Sequence, residues 1–167
     1  LDPPMIGAAV CRPINYLARE SLFRFPLFGW YLRALNSVPV DRDGAGAKGL
    51  KMILDRLLTG GGIILFPEGT RSSDGNLQPA RSGVGLTVIK SHAPVVPVRI
   101  FGSYEAWNRK QIFPRLRRIT IKFGNPMDFS DLREEARSCS KKRVKQIYQE
   151  VADRIMAEIT LLTPDPD

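Results

Sequence analysis

Cysteine and histidine are nearly absent from this chain, and their scarcity limits the chemistry that it can perform. The 167 residues include two cysteines, Cys11 and Cys139, and one histidine, His92. There is no Cys-x-x-Cys pair and no companion histidine at ligand spacing, which argues against a disulfide framework and against a zinc site. This cysteine usage is typical of a reducing compartment.

Long apolar runs are also missing. No stretch approaches the roughly 20 apolar residues that a helix needs to cross a bilayer, and there is no signal-peptide pattern. The sequence therefore predicts no membrane-spanning segment. Because the chain begins with Leu1 rather than methionine, we expect it to be a piece of a longer product.

Acidic residues are outnumbered. Seventeen Asp and Glu residues stand against 25 Lys and Arg residues, which gives a formal net charge of +8. Such a balance indicates an anionic partner, and nucleic acid, a lipid surface and a phosphorylated small molecule all satisfy it. Charge alone does not choose among the three.

The length and composition are those of one folded domain. With 43% hydrophobic and 25% charged residues, the chain can build a core and is not of the disordered class. No internal repeat or low-complexity linker divides it. We expect a single domain over residues 1–167, with a flexible tail at 163–167.

Short apolar runs alternate with segments of helical periodicity. Strands are predicted at 13–19, 37–42, 62–67 and 94–102, a strand with its exit turn at 118–129, and helices at 22–36, 45–61, 83–92 and 141–162. The run at 62–67 is continuously apolar, as expected for a strand buried on both faces. The β-α-β alternation predicts parallel strands joined by right-handed crossovers. The predicted fold class is α/β, with a mixed, largely parallel sheet flanked by helices.

Residues 65–75, LFPEGTRSSDG, carry the apolar run into a polar loop. Ligands of parallel α/β sheets bind beyond the carboxyl ends of the strands, where this loop is expected. Arg71 offers a planar fork of donors that suits a phosphate or a carboxylate. Thr70 and Ser72 add hydroxyls, and Gly69 permits close backbone approach. The loop is therefore a candidate binding site for an anionic ligand.

Glu68 in the same loop has two possible partners, Arg71 and a ligand hydroxyl. A phosphate-bearing polyol would satisfy both charged groups. Alternatively, Glu68 and Arg71 form a local salt bridge that only shapes a surface turn. The spacing of the residues leaves both interpretations open.

The segment FPEGTRS resembles the third motif of the glycerolipid acyltransferases, and three further segments resemble other motifs of that family in order and separation. VPVDR, ending at Arg42, is similar to the second motif; VVPVRI, at 95–100, is similar to the fourth; LDPP is similar to the tail of the first motif, H-x-x-x-x-D, with Asp2 as its aspartate. The resemblance spans residues 1–101 and implies the α/β fold of that family.

The resemblance implies transfer of an acyl chain from an acyl-coenzyme A or acyl carrier protein thioester to the free hydroxyl of 1-acyl-glycerol-3-phosphate, giving phosphatidate. Neither a metal nor a bound cofactor is implied, because the thioester already carries the activated acyl group. Two alternatives stay open. The acceptor could be glycerol-3-phosphate or another lysophospholipid, or the chain could be a catalytically silent module that binds anionic lipid.

The resemblance also implies roles for individual residues. In this family a motif histidine is the general base on the acceptor hydroxyl and the motif aspartate, here Asp2, orients it. The implied substrate-binding residues are Arg42, Glu68, Gly69, Thr70, Arg71, Ser72 and Arg81. The chain departs from the family pattern at PARSG, where two lysines often precede the glycine and this chain has Arg81 and Ser82.

The motif histidine would lie five residues before Asp2, upstream of Leu1. We therefore expect the chain to be truncated within its first motif and the isolated piece to be nearly inactive, since a positioned acid–base group contributes typically about 10²–10⁴-fold. His92 cannot replace it, because His92 is predicted to be a solvated connector residue at the opposite end of the sheet from Glu68.

Two of the implied site residues have structural alternatives. Asp2 could cap a helix that begins at the following prolines. Arg42 could be an ion-pair partner of Asp41 or Asp43. The capping role of Asp2 is compatible with a role in the site, whereas the ion pair would replace the ligand role of Arg42.

Two segments indicate a membrane surface as partner. Between residues 109 and 122 there are six basic residues and no acidic one: Arg109, Lys110, Arg115, Arg117, Arg118 and Lys122. No nucleic-acid-binding motif accompanies them, so an anionic lipid surface is the favoured partner rather than nucleic acid. The aromatic segment at 22–32 is compatible with an interfacial element, but the core is the favoured place for it. The expected location is peripheral, at the cytoplasmic face of a membrane.

Overall fold

The computed structural model describes residues 2–40, 47–70, 72, 74–107, 111 and 113–164. Its elements in chain order are α1 (Asp2–Ala8), β1 (Ile14–Arg19), the 3-10 helix η1 (Glu20–Arg24), α2 (Pro26–Ala34), β2 (Ser37–Val40), α3 (Ala47–Leu58), β3 (Gly62–Ile63), α4 (Ser82–Ser91), β4 (Val98–Phe101), α5 (Ser103–Ala106), β5 (Thr120–Phe123), α6 (Ser130–Ser138) and α7 (Lys141–Leu161).

Three strands form a parallel sheet in the order β2-β1-β3. Arg19, the last residue of β1, pairs with Val40, the last residue of β2, and Ile14 pairs with Gly62 at the start of β3. The carboxyl ends of β1 and β2 therefore lie together at one edge of the sheet, which is called the carboxyl edge below. β3 runs in the same direction but ends opposite Asn15, near the start of β1. This arrangement confirms the α/β fold class and the prediction of parallel strands for the first half of the chain.

β3 is shorter than its apolar run predicts. The strand was expected over 62–67, but it covers Gly62 and Ile63, with one further hydrogen bond from the Ile64 amide to the Asn15 carbonyl at 3.0 Å. β1 is its only strand neighbour in the described part of the chain, and Phe66 is 45% exposed. The prediction that this run is buried on both faces is therefore wrong.

β4 does not extend the parallel sheet, contrary to the prediction from the β-α-β alternation. It pairs antiparallel with β5, with Val98 opposite Phe123 and Phe101 opposite Thr120, and it is half-buried along its length. β3 leaves its ladder early and offers few backbone groups to another strand. In the described part of the connection between β4 and β5, the four-residue α5 is the one helix, and β5 pairs antiparallel, as strands without a long crossover helix between them can.

The main apolar cluster lies between α4, α6 and α7. The periodicity prediction for α7 is confirmed to within one residue at its carboxyl end. At Gly85 the two helices α4 and α7 approach so closely that a Cβ would overlap the carbonyl oxygen of Tyr148. The buried apolar residues of the cluster are Val88, Ile89, Phe129, Leu132, Ile147, Val151, Ile155 and Ile159.

The aromatic segment at 22–32 forms η1 and the amino-terminal part of α2, and most of it faces solvent. Leu32 and Gly29 are its buried members, whereas Leu27 is 87% exposed. The expectation that this segment belongs mainly to the core is therefore wrong. The exposed residues, called the aromatic surface below, are Leu22, Phe25, Leu27, Phe28, Trp30 and Tyr31. No helix in the described ranges is both long enough and apolar enough for a membrane span.

Candidate functional site

The loop that carries Glu68 follows the carboxyl end of β3, which runs parallel to β1 and β2. β1 and β2 end together at Arg19 and Val40, at the carboxyl edge, whereas β3 ends opposite Asn15, and residues 64–67 lead from there to Glu68. Ligands of parallel sheets bind beyond the carboxyl ends of the strands. The loop follows a parallel strand, as the sequence predicts. Arg42 follows β2 by two residues in the sequence, and Arg42 and Arg71 lie outside the described residues.

Gly69 makes the sharp turn at the start of this loop. Its amide donates a hydrogen bond to the Phe66 carbonyl at 3.0 Å, and its φ of +65° lies in the left-handed region that favours glycine. A Cβ at this position would lie 3.0 Å from Cδ of Arg81 and 3.4 Å from its Nε. The turn thus brings the Arg81 side chain against the backbone of Gly69, twelve positions earlier in the chain.

Arg81 links this turn to the amino terminus of α4. Its amide donates to the Pro67 carbonyl at 2.9 Å, its backbone is extended, and α4 begins at the next residue, Ser82. The side chain of Arg81 is exposed. A guanidinium and the positive end of a ten-residue helix therefore share one side of the loop, an arrangement that favours an anion.

The side chain of Glu68 holds two parts of the loop together. It is half-buried, and its Oε2 accepts a hydrogen bond from the Gln78 amide at 2.9 Å. One carboxylate oxygen of Glu68 therefore holds the loop together across ten residues. Gln78 has no signal in the sequence that would single it out, because its contribution comes from its backbone.

Ser72 organises the tip of the loop rather than presenting its hydroxyl outward. Its Oγ donates to Oδ1 of Asp74 at 2.9 Å and accepts from the Gly75 amide at 2.9 Å. The carboxylate of Asp74 also accepts from the side chain of Asn76 at 2.9 Å. These hydrogen bonds, with that of the Asn76 side chain first, hold the pKa of Asp74 below its ordinary value. Thr70 is exposed at the start of the same loop.

Residues from distant parts of the chain support the loop. The space beside Gly75 is filled by the ring of Tyr104 in α5, which would lie 3.1 Å from a Cβ at that position. Gln149 of α7 donates to the Ala80 carbonyl at 3.1 Å, just before α4. Sequence patterns could not have identified Tyr104 or Gln149, because each meets the loop only in the folded chain.

Asp2 is the first residue of α1, and its side chain lies outside the described part of the chain. The helix begins at Asp2 itself, with prolines at its next two positions, whereas the structural alternative for Asp2 was to cap a helix that begins at those prolines. α1 packs on β1 at Gly7, where a Cβ would overlap the hydroxyl of Tyr16.

His92 lies far from the loop, as predicted. It is the exposed residue that ends α4, with a left-handed φ of 55°, whereas Arg81 precedes the first residue of the same helix. Ten residues of helix span roughly 15 Å. His92 lines a separate cavity of about 390 Å³ with Lys90, Arg133 and Arg137 among its walls. In the described part of the chain no three His, Cys, Asp or Glu side chains are grouped to hold a metal ion.

The structure is thus that of an α/β protein whose loop after β3 brings together Glu68, a left-handed Gly69 and Arg81, an arrangement suited to an anionic ligand. Residues 1–101 match the family model described as Acyltransferase, and the chain belongs to that family. The match covers the four segments whose order and spacing resemble glycerolipid acyltransferase motifs.

Known proteins agree with this assignment. The chain is 28% identical over 138 residues to 1-acyl-sn-glycerol-3-phosphate acyltransferase of Limnanthes alba, covering 79% of this chain and 48% of the relative. It is 28% identical over 162 residues to the protein of the same name from Streptococcus pneumoniae, covering 95% of this chain and 55% of the relative. The chain thus spans about half the length of these curated relatives.

A solved structure has the same fold. The crystal structure of the 1-acyl-sn-glycerophosphate (LPA) acyltransferase PlsC from Thermotoga maritima superposes with a TM-score of 0.69 at 27% sequence identity. The superposition covers 98% of this chain and 64% of that structure.

Proposed function

We propose that the chain is the acyltransferase part of an enzyme that acylates the free hydroxyl of 1-acyl-glycerol-3-phosphate and gives phosphatidate. The observation that carries the proposal is the packing of Arg81 on the left-handed Gly69 in the loop that follows β3. Membership of the Acyltransferase family and the names of the relatives support it.

The acyl donor would be a thioester of coenzyme A or of acyl carrier protein. The acceptor oxygen attacks the thioester carbonyl, a new C–O bond forms, the C–S bond breaks, and the hydroxyl proton passes through a general base to the departing thiolate. These reaction steps require neither a metal nor a bound cofactor, because the thioester is already activated. Asp2 would orient the base, which the family motif places five residues upstream.

Charged and polar groups of the loop would hold the acceptor. Arg81, with Arg42 and Arg71, would bind the phosphate, since guanidinium groups bind phosphate through paired hydrogen bonds. Gly69 would allow close backbone approach, and Thr70 would contact the glycerol portion. Glu68 and Ser72 would act mainly by fixing the loop, because their described hydrogen bonds are made within it.

An anionic membrane surface would be the partner that supplies the acceptor. A lysolipid resides in the bilayer, and the aromatic surface of η1 and α2 provides exposed side chains of the kind found at the head-group level. We propose that the enzyme works peripherally at the cytoplasmic face of a membrane, without nucleic acid as a partner.

The test uses the protein with its native residues upstream of Leu1 and measures thiol release from acyl-coenzyme A with and without lysophosphatidate. Acceptor-dependent release is expected. Release with lysophosphatidylcholine or glycerol-3-phosphate in place of lysophosphatidate would move the function to another acceptor. No release with any acceptor, from coenzyme A or carrier-protein donors, would overturn the proposal in favour of a silent lipid-binding module.

The phosphate role is tested by Arg71→Ala and Arg81→Ala, with Arg137→Ala as the matched control at the distant His92 cavity. Losing a hydrogen bond to a charged group should lower kcat/KM for lysophosphatidate by about 10- to 100-fold. Background thioester hydrolysis should change little. An equal loss of both activities would contradict a role in phosphate binding.

A further inference from the structure

The segment at residues 113–118, FPRLRR and called the Phe113 loop below, exposes apolar and basic side chains together. Phe113 is 79% exposed and Leu116 is fully exposed. Arg115, Arg117 and Arg118 lie between and beside them on the exposed loop. Exposed apolar side chains grouped with basic ones form the kind of patch that marks contact with a partner or a membrane.

This loop lies next to the candidate site. The Arg115 amide donates to the Ala106 carbonyl at the end of α5, at 2.7 Å. Tyr104 of the same short helix fills the space beside Gly75 in the loop that follows β3. One four-residue helix therefore separates the Phe113 loop from the loop that carries Glu68 and Gly69.

The chemistry of the Phe113 loop matches one kind of surface. Arg115 and Arg117 place two exposed positive charges on it, which suits an anionic partner. A nucleic acid would satisfy the arginines but would leave Leu116 in water, whereas a bilayer offers anionic head groups and, just beneath them, an apolar layer.

We propose that the Phe113 loop docks the protein on anionic membranes, inserting Phe113 and Leu116 at the head-group level while Arg115 and Arg117 bind lipid phosphates. The relevance to catalysis rests on the proposed function, because an acceptor drawn from the bilayer would then enter beside the site. The docking itself is a property of this surface alone.

Vesicle co-sedimentation tests the proposal with the full-length protein, using phosphatidylcholine vesicles with and without phosphatidylglycerol. Replacing both Arg115 and Arg117 with glutamine should weaken binding to the anionic vesicles by about 25-fold, or about fivefold for each basic residue. The matched control replaces the exposed Lys141 and Lys142 with glutamine, which removes the same charge from the amino terminus of α7.

A second set of variants tests how much the apolar side chains contribute to vesicle binding. Phe113→Ser with Leu116→Ser should reduce binding to both kinds of vesicle, and this loss should persist at high salt because it is not electrostatic. The matched control is Leu58→Ser with Leu161→Ser, which removes two exposed apolar side chains elsewhere. Circular dichroism of each variant should match the parent, which shows that the fold is intact.

Activity on a short-chain, water-soluble lysophosphatidate separates docking from catalysis. The loop variants should retain it while losing activity on vesicle-bound acceptor. Loss of activity on the soluble acceptor would assign the loop to the site and overturn docking. Vesicle binding no weaker than in the matched controls, or tight oligonucleotide binding that the arginine variants abolish, would also overturn it. Intact docking without acyl transfer would refute the proposed function alone.

Discussion

At the scale of single residues, Gly69 joins local conformation to the candidate site. Its left-handed backbone turns the chain after Phe66, and the missing side chain leaves room for Arg81. A charge that would bind the acceptor phosphate is thus positioned by a residue that carries no charge. The cost of changing this glycine should appear both in stability and in acceptor binding.

We predict that Gly69→Ala lowers the free energy of unfolding by about 1–2 kcal/mol, because left-handed backbone disfavours a residue with a Cβ. It should also raise KM for lysophosphatidate by displacing Arg81. The matched control is Gly60→Ala, which has a φ of +82° and nothing within 4 Å of the added Cβ. Urea unfolding should show similar losses for the two variants. An unchanged KM in the Gly69 variant would refute the link to Arg81.

The residues of the site could be predicted from sequence only where a motif names them. EGTR and its place after an apolar run predicted Glu68 and Gly69 as site residues, and both lie in the loop that follows β3. The contacts that fix the loop could not be predicted, because the Gln78 amide and the ring of Tyr104 reach it through the fold. Ser72 was predicted to contact substrate, whereas its described hydrogen bonds are made inside the turn.

At the scale of elements, hydrophobic periodicity predicted the helices and strands whose formation depends mainly on their own sequence. α7 and β1 match their predicted ranges to within one residue, because their apolar spacing is strong. α6 was not predicted, since Leu132 is its single buried residue and charged residues dominate its sequence. The antiparallel pairing of β4 depends on where β3 ends, and no local pattern reports that.

Packing of α4 on α7 depends on Gly85. An added Cβ would overlap the Tyr148 carbonyl, so Gly85→Ala should push the two helices apart and lower the free energy of unfolding by about 1–3 kcal/mol. Gly83→Ala, on the same helix with nothing near the added Cβ, should be neutral or stabilising. Urea unfolding measures the free energy of unfolding of both variants. Equal stability of the two would contradict close packing at Gly85.

α6 and α7 are joined by Arg143, whose guanidinium bonds Glu135 at 2.6 Å and Glu150 at 2.8 Å. The hydrogen bond from Arg143 lowers the pKa of Glu135 from its ordinary 4.5, against a smaller opposing effect of burial. A lowered folded pKa gives stability that is present above 4.5 and lost as the pH falls through the folded value.

We therefore predict that Glu135→Gln reduces stability at neutral pH and flattens the dependence of the unfolding midpoint on pH below 4.5. Glu134→Gln, an exposed neighbour on α6, is the control and should leave the slope unchanged. Urea titrations at several acidic pH values measure this. A slope in the Glu135 variant as steep as in the parent would show that this ion pair does not contribute.

At the scale of the whole molecule, the fold exposes two apolar surfaces, and each is connected to elements near the candidate site. η1 begins directly after Arg19 at the carboxyl edge and leads into the aromatic surface. The Phe113 loop is tied through α5 to the loop that follows β3. If both surfaces contact one bilayer, the protein binds with its site edge toward the lipid.

Tryptophan fluorescence tests this orientation, because Trp30 lies on the aromatic surface and Trp107 lies beside the Phe113 loop, donating to the Gln111 carbonyl at 3.0 Å. We predict that Trp107→Phe and Trp30→Phe variants, each with one remaining tryptophan, both show a blue shift and protection from aqueous quencher when anionic vesicles are added. Burial in the interface removes water from the indole in both cases.

Leu161→Trp in the protein lacking both native tryptophans provides the reference. Leu161 is exposed near the end of α7, where Arg99 of β4 binds the carbonyl groups of the flanking residues at 2.9 and 3.0 Å. Leu161 belongs to neither the aromatic surface nor the Phe113 loop, so a tryptophan at this position should stay in water. A shift at only one native tryptophan, or an equal shift at Leu161→Trp, would refute a single membrane-facing edge.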